Sequence, residues 1–247
     1  MANTIAYNTE VMEERGTNQF FGDLYIDLRQ EEKRVMTDDE LMFLPDIDPA
    51  HVHFKEWQMR KRSSECLIRY LTAKNKPLNI LEIGCGNGWL SSKLSTIKNS
   101  IVTGLDINEP EIMQANRVLK KNNLQFVLGD FAPAMFPGKF DVILFAASIQ
   151  YFSSLKRILQ DALSSLKDDG EIHIIDTNFY RQEDVTGAAR RTEDYYTAMG
   201  YPEMTAYYFH HTLNDFRSFN YKVQFNPHTL LNKITKKDPF YWLIVKH

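Results

Sequence analysis

The sequence predicts an α/β/α sandwich: a mostly parallel seven-stranded sheet between two helix layers, with an antiparallel last strand, a helical N-terminal cap and an inserted lid. Three observations predict it. Between residues 79 and 176 short apolar runs alternate with helical-period segments without long interruption, as in βαβ units whose strands pair in parallel. The first run, Ile80, Leu81 and Ile83, leads directly into Gly84, Gly86 and Gly88, a strand-to-helix turn open enough for a ligand to touch backbone. Near the C-terminus the runs 222–225 and 240–245 stand close enough in the chain to pair as neighbours.

In chain order, residues 1–50 keep neither period for long and are read as a cap or lid. Thr37-Asp38-Asp39-Glu40 is a helix start ahead of Leu41, Met42 and Leu44, while Phe20, Phe21 and Tyr25 are candidates to line a pocket. From His51 to about Ala73 the apolar residues Phe54, Trp57, Cys66, Leu67, Tyr70 and Leu71 share one helical face, which Asn75 to Pro77 ends. Then come the first strand, a helix over 89–97, a strand over 101–105, a helix over 110–121 and a strand over 125–128. A strand over 140–145, a helix over 155–166 and a strand over 171–175 follow, with Asp169-Gly170 as the turn before the last. Residues 177–211 break the alternation with a tyrosine-rich insertion, read as a substrate lid because long insertions at such places carry function. A short helix over 213–219 precedes the last two strands. The chain thus divides into a cap over 1–50 and a binding domain over 51–247.

Composition excludes several classes. Lys plus Arg is 29 against 32 for Asp plus Glu, a formal charge of −3 without a basic stripe, so nucleic acid is not the expected partner. No apolar run approaches the ~20 residues of a membrane span, and no secretory h-region opens the chain. With Cys66 and Cys85 as the only cysteines, the expectation is a soluble protein of a reducing cytoplasm, monomeric or homodimeric, acting on a small molecule.

The glycine turn suits an adenosine-containing cofactor, and its details choose among them. The dinucleotide fingerprint would set its third glycine one place later, where Trp89 stands. Glu82, two residues before Gly84, would repel a pyrophosphate and attract a cation. Asp106, at the end of the second strand, has the acceptor capacity for both hydroxyls of a ribose.

The run E-x-G-x-G-x-G at a strand end resembles the first motif of the class I S-adenosylmethionine-dependent methyltransferases, whose fold is Rossmann-like. The resemblance extends over residues 50–176 and the last two strands, taking in Asp106, Asp130 and LKDDGEIHIIDT. It implies S-adenosylmethionine as cofactor, S-adenosylhomocysteine as product, and contacts from Glu82, Gly84, Cys85, Gly86 and Gly88. It further implies that Asp106 and Ile107 meet the ribose, that Asp130 and Phe131 meet the adenine, and that Ala146 and Ala147 leave room for the transferred methyl. An aromatic or basic residue of the helix before the first strand, Trp57, Arg60 or Arg62, is expected to reach the cofactor. Ser148, Gln150 and Tyr151 occupy the corner that faces the acceptor in the family. The N-terminal 50 residues and the insertion depart from the family pattern.

Within the insertion, Arg190, Arg191, Tyr195, Tyr196, Tyr207 and Tyr208 are candidates to clamp an anion and stack on a flat ring. His210 or His211, with Tyr151, is the candidate for a proton-transfer role; neighbours in extended chain point oppositely, so at most one histidine faces a pocket. No metal is expected, because the fourth strand ends Ala-Ala-Ser and leaves Asp176 and Asn178 without an acidic partner. Oxygen is the preferred methyl acceptor, nitrogen the next. Two rival functions stand beside this one: a nicotinamide-dependent oxidoreductase, and a non-catalytic module that binds S-adenosylmethionine and holds a partner protein. An open or plugged corner at 148–151 separates the latter from an enzyme.

Overall fold

A computed structural model describes residues 20–136, 140–230, 232 and 238–247. Seven strands form one sheet: β1 (Leu78–Ile83), β2 (Ser100–Asp106), β3 (Leu124–Leu128), β4 (Phe140–Ala146), β5 (Leu166–Thr177), β6 (Asn220–Phe225) and β7 (Tyr241–Lys246). Their order is β3-β2-β1-β4-β5-β7-β6, and β7 pairs antiparallel with both neighbours. Strands β1 to β5 are parallel, which brings the C-terminal ends of β1, β2 and β4 to one edge; Glu82 pairs with Gly104 on one side and Leu144 on the other.

The helices are α1 (20–31), α2 (Asp38–Phe43), α3 (Phe54–Thr72), α4 (Trp89–Leu94), α5 (Glu109–Val118), α6 (Leu155–Ser164) and α7 (Val185–Ala198). None of the described helices is long and apolar enough to cross a membrane. Strand alternation splits the core between the two faces of the sheet. Leu78, Ile80, Val142 and Leu144 pack under α3 and α4, while Leu81, Ile83, Ile143 and Phe145 pack under α6. Both faces are covered, so these strands read as nearly continuous apolar runs.

Local signals explain the helix starts. Thr37 and Glu40 form a capping box at α2, Asn108 caps α5 through the Glu111 amide, and Ser154 caps α6 through the Arg157 amide. Gly88 caps α4 at φ +74, and a Cβ there would lie 2.2 Å from the Phe126 ring. Gly88→Ala must therefore move that ring and hold alanine at a left-handed φ. We expect a loss of about 3 kcal/mol, read as a lower urea midpoint; an unchanged midpoint would contradict this packing.

Three elements differ from the expectation. Strand β5 begins at Leu166, and the expected turn at Asp169-Gly170 is a bulge within it, where the pairing jumps from Phe140–Leu166 to Val142–Glu171. The expected helix over 213–219 is a short 3-10 turn, Leu213–Phe216, fixed by a capping box between Thr212 and Asp215. The insertion is largely helical: α7 lies inside it, with Ala188 and Tyr196 as its buried residues. So few apolar contacts give α7 little periodicity to recognise.

Candidate active site: a glycine loop beneath a tyrosine lid

The C-terminal edge of β1, β4 and β5 opens into a cleft of about 300 Å³, at the lower end of the range for small-molecule sites. Its floor is the loop Gly84 to Asn87 with Ala146 and Ala147; α3 contributes Trp57 and Arg60, and α1, Tyr196 of α7 and Tyr208 from the chain after it close the top. The loop is held from β2. Gly84 and Cys85 amides both donate to the Leu105 carbonyl (2.8 and 3.0 Å), and the Gly86 amide donates to Asp106 Oδ2 (2.7 Å). The other Asp106 oxygen accepts from the Asn108 amide at 2.9 Å. Each oxygen keeps a second lone pair.

Three carboxylates surround this loop. Burial raises the Asp106 pKa, opposed by its backbone donors. Burial and then Asp106 raise that of Glu111, whose Oε2 is buried without a hydrogen-bond partner and lies 3.2 Å from where a Cβ on Gly86 would sit. Glu82 is 2% exposed, accepts from the Ser91 hydroxyl at 2.5 Å, and has its pKa pushed up to about 8, chiefly by burial. A buried orphan acceptor among three desolvated acids suits a ligand bringing hydroxyls and positive charge, as a ribose with an ammonium and a sulfonium would. Burial also holds the Cys85 thiol protonated, so it contributes shape rather than a thiolate.

Glu82 has a pH consequence. Its folded pKa lies above the unfolded value, so its stability contribution is complete below the unfolded pKa of about 4.3 and is lost as pH rises through about 8. Ligand-free protein should lose melting temperature between about pH 5 and pH 8, and Glu82→Gln should flatten that loss while weakening cofactor binding. Equal slopes in the two proteins would show that Glu82 ionises normally.

Strain gathers at the neighbouring strand ends. Ala147 and Asp176 adopt φ of +53° and +55°, which non-glycine residues seldom do, and Asp176 Oδ2 is buried without a partner. Burial raises the Asp176 pKa to about 6, and its charge partner is Arg60 of α3.

Comparison with known proteins gives this geometry a family. The methyltransferase-domain family matches residues 74–242, well over half of the chain. The chain belongs to it, as a class I S-adenosylmethionine-dependent methyltransferase in fold and motif. A malonyl-acyl-carrier-protein O-methyltransferase of Acetivibrio thermocellus is 29% identical over 115 residues, which is 46% of this chain and 41% of that relative. The ubiquinone biosynthesis O-methyltransferase of Pelagibacter ubique is 30% identical over 113 residues, 44% of this chain and 47% of that protein. The chain thus spans less than half the length of these curated relatives. Among solved structures, the plantazolicin methyltransferase BpumL in complex with S-adenosylhomocysteine superposes with a TM-score of 0.56 at 20% identity, covering 91% of this chain and 99% of that one. The magnesium protoporphyrin IX methyltransferase of Synechocystis PCC 6803 with bound S-adenosylmethionine gives 0.54 at 16% identity, covering 85% and 89%. At these identities the likeness is one of fold.

The structure gathers part of the expected site into the cleft. Trp57, Glu82, Gly84, Cys85, Gly86, Ala146, Ala147, Gln150, Tyr151 and Tyr196 line it. Gly88 does not, because its open Cα accommodates Phe126. Ser148 is turned into the fold, donating to the Ile83 carbonyl at 2.6 Å and packing where a Cβ on Gly84 would clash at 2.5 Å. Arg60 rather than Arg62 borders the cleft, one guanidinium lying over the Trp57 ring. Ile107 is half-buried and outside the cleft lining, with Gly22 of α1 near its carbonyl; the Gly22 carbonyl accepts from the Asn108 side chain at 3.1 Å. Asp130 is exposed, and Phe131 stacks on Phe136 in the core, so neither borders the cleft.

In the insertion, Arg190 and Arg191 are exposed outside the cleft, and Tyr195 is 46% exposed with its hydroxyl on Glu32. Neither histidine reaches the cleft. His210 Nε2 pairs with the Thr192 hydroxyl at 2.9 Å, and His211 Nε2 with the Phe152 carbonyl at 3.0 Å.

The residues that sequence reasoning passed over come mostly from α1 and the chain after it: Leu28, Arg29, Glu32 and Arg34. A signal existed, since Phe21, Tyr25 and Leu28 recur at four and three residues, one helical face. That face packs on the insertion, where Leu28, Tyr196 and Met204 form a small buried cluster with Phe21, Leu24, Tyr25, Tyr151 and Tyr208 against it. Glu111 was concealed by its position in the acidic first turn of α5, where acids are common for helix-dipole reasons alone.

Proposed function

We propose that this protein transfers the methyl group of S-adenosylmethionine to an oxygen of a small molecule, leaving S-adenosylhomocysteine. The observation that carries this is an open glycine loop lined by Glu82 and Glu111 and anchored from behind by Asp106, in a cleft that continues to a tyrosine-lined lid. Asp106 would accept from the ribose hydroxyls with the lone pairs left free by its backbone donors. Glu82 would hold the ammonium end, and Trp57 and Arg60 would flank the same end from α3. Bound S-adenosylmethionine supplies an electrophilic methyl on a sulfonium, which leaves as a neutral thioether. Ala146 and Ala147 keep the floor low, while Gln150 and Tyr151 meet the acceptor. Gln150 is itself positioned, donating to the Ala147 carbonyl (2.7 Å) and accepting from Thr177 (3.1 Å). The work of the chain is then alignment and exclusion of water, effects large enough to carry such a transfer.

Oxygen is supported by two relatives that are O-methyltransferases. The oxidoreductase reading is disfavoured by Glu82 beneath the loop and by Trp89, which is 7% exposed and edge-on to Trp57 where a third glycine would stand. The binding-module reading is disfavoured because the corner holds Gln150 and Tyr151 against open cleft.

Incubation with methyl-labelled S-adenosylmethionine and panels of hydroxylated, carboxylated and amino compounds tests the reading. Label in an oxygen-bound product, with equal S-adenosylhomocysteine, is expected. Label confined to amines would overturn the oxygen assignment, and no transfer to any panel would count against an enzyme.

A further inference from the structure

On the lid side of the cleft three arginines, Arg29, Arg34 and Arg60, stand beside Glu32 and Glu56. Glu56 is taken by two arginines, Arg34 at 2.6 Å and Arg60 at 3.0 Å; burial raises its pKa and these guanidiniums more than reverse that, leaving it at about 2. Glu32 lies 3.2 Å from Arg34 and also accepts from the Tyr195 hydroxyl. Arg29 lies 3.8 Å from Glu32 and within the field of Glu111, yet its Nε is buried without a hydrogen-bond partner. A half-buried guanidinium with an unpaired Nε is best complemented by a planar anion offering two oxygens. The same wall is aromatic: Arg29 Cζ sits 5.6 Å from the Tyr25 centroid, Tyr25 and Tyr151 meet edge-on at 5.5 Å, and Tyr151 and Tyr208 at 5.8 Å.

We propose that the methyl acceptor is a carboxylic acid, its carboxylate held by Arg29 and its apolar, ring-bearing body packed against Tyr25, Tyr151, Tyr196 and Tyr208, and that the product is the methyl ester. This rests on the methyl-transfer reading above.

The acid–base groups of the lid side agree. Burial keeps the four tyrosines protonated, so they donate but do not accept a proton. Both candidate histidines lie outside the cleft, Glu56 is held by its arginines and Glu32 by Arg34 and the Tyr195 hydroxyl, while the raised carboxyls Glu111 and Asp176 belong to the loop and strand side. A phenol or an ammonium must lose a proton before it attacks, whereas a carboxylate arrives ionised. One of its oxygen lone pairs forms the new bond to the methyl carbon as the carbon–sulfur bond breaks, and that electron pair stays on sulfur. An anion and a sulfonium cation give a neutral ester and a neutral thioether, with no proton to place.

The test compares full-length wild type, Arg29→Met and Arg29→Lys in calorimetric titrations with benzoate, cinnamate, benzamide and phenol, and separately with S-adenosylhomocysteine. Saturable binding of at least one acid, weakened about tenfold or more in Arg29→Met and partly retained in Arg29→Lys, is expected, with S-adenosylhomocysteine affinity unchanged in both. With methyl-labelled cofactor, the product label should be released as methanol by mild alkali, as from an ester and not from an ether or an amine. Amide or phenol binding equal to that of the acids would overturn the proposal. So would acid binding indifferent to Arg29, or an Arg29→Met variant that loses S-adenosylhomocysteine instead, which would give Arg29 to the cofactor. If wild type binds S-adenosylhomocysteine but no acid, the acid assignment alone fails; if it binds neither, the reading beneath it fails.

Discussion

Replacing Asp106 with alanine is expected to weaken S-adenosylmethionine and S-adenosylhomocysteine binding by about 100-fold, roughly 3 kcal/mol. Two losses combine. The ribose would lose charge-assisted acceptors, and the loop would lose the anchor that fixes the Gly86 amide at 2.7 Å and the Asn108 amide at 2.9 Å. Asp106→Asn separates them, since it keeps the shape and one acceptor oxygen and should fall between wild type and alanine. The check is calorimetry on variants whose melting transitions remain cooperative. A folded Asp106→Ala protein with unchanged affinity would remove this residue from the cofactor site.

The second large effect concerns stability and lies at the opposite end of the sheet from the cleft. Glu171 is 3% exposed and meets three groups: Lys74, just past the end of α3, at 2.7 Å, Lys246 of β7 at 2.7 Å, and the Tyr70 hydroxyl of α3 at 3.2 Å. His173, fully buried, accepts from the Trp242 indole at Nδ1 (3.0 Å), so its proton sits on Nε2 and is donated to Glu171 (3.2 Å). Burial also lowers the His173 pKa, keeping the ring neutral. Removing the carboxylate strands a buried imidazole donor and takes the partner from the partly buried Lys74 ammonium, while Lys246 is exposed enough to turn to water. Glu171→Ala should cost about 3–5 kcal/mol in urea denaturation, with Glu171→Gln intermediate. A cost below about 1 kcal/mol would mean the network is solvated and contributes little.

The sheet was legible because its strands are buried on both faces, and the apolar runs around Ile80, Val142 and Ile172 survive any reading of period. The glycine loop was legible for a different reason: Glu82, Gly84, Gly86 and Asp106 are adjacent through one strand pair, so a local pattern stands for a local geometry. The lid was not. Arg29 and Tyr151 share the cleft from segments far apart in sequence, and no spacing rule connects them. His210 and His211 illustrate the converse, being conspicuous by residue type yet occupied by Thr192 and the Phe152 carbonyl. Chemistry-bearing residue types identify candidates; only packing determines which of them face open space.

The most direct test is calorimetric titration of the wild-type chain with S-adenosylhomocysteine, S-adenosylmethionine and reduced nicotinamide dinucleotide under one buffer condition. Micromolar, one-to-one binding of the two sulfur compounds, with none of the dinucleotide, is the expected result. Dinucleotide binding, or no binding of either sulfur compound, would contradict the assignment of the loop between Gly84 and Gly88 and of everything built upon it.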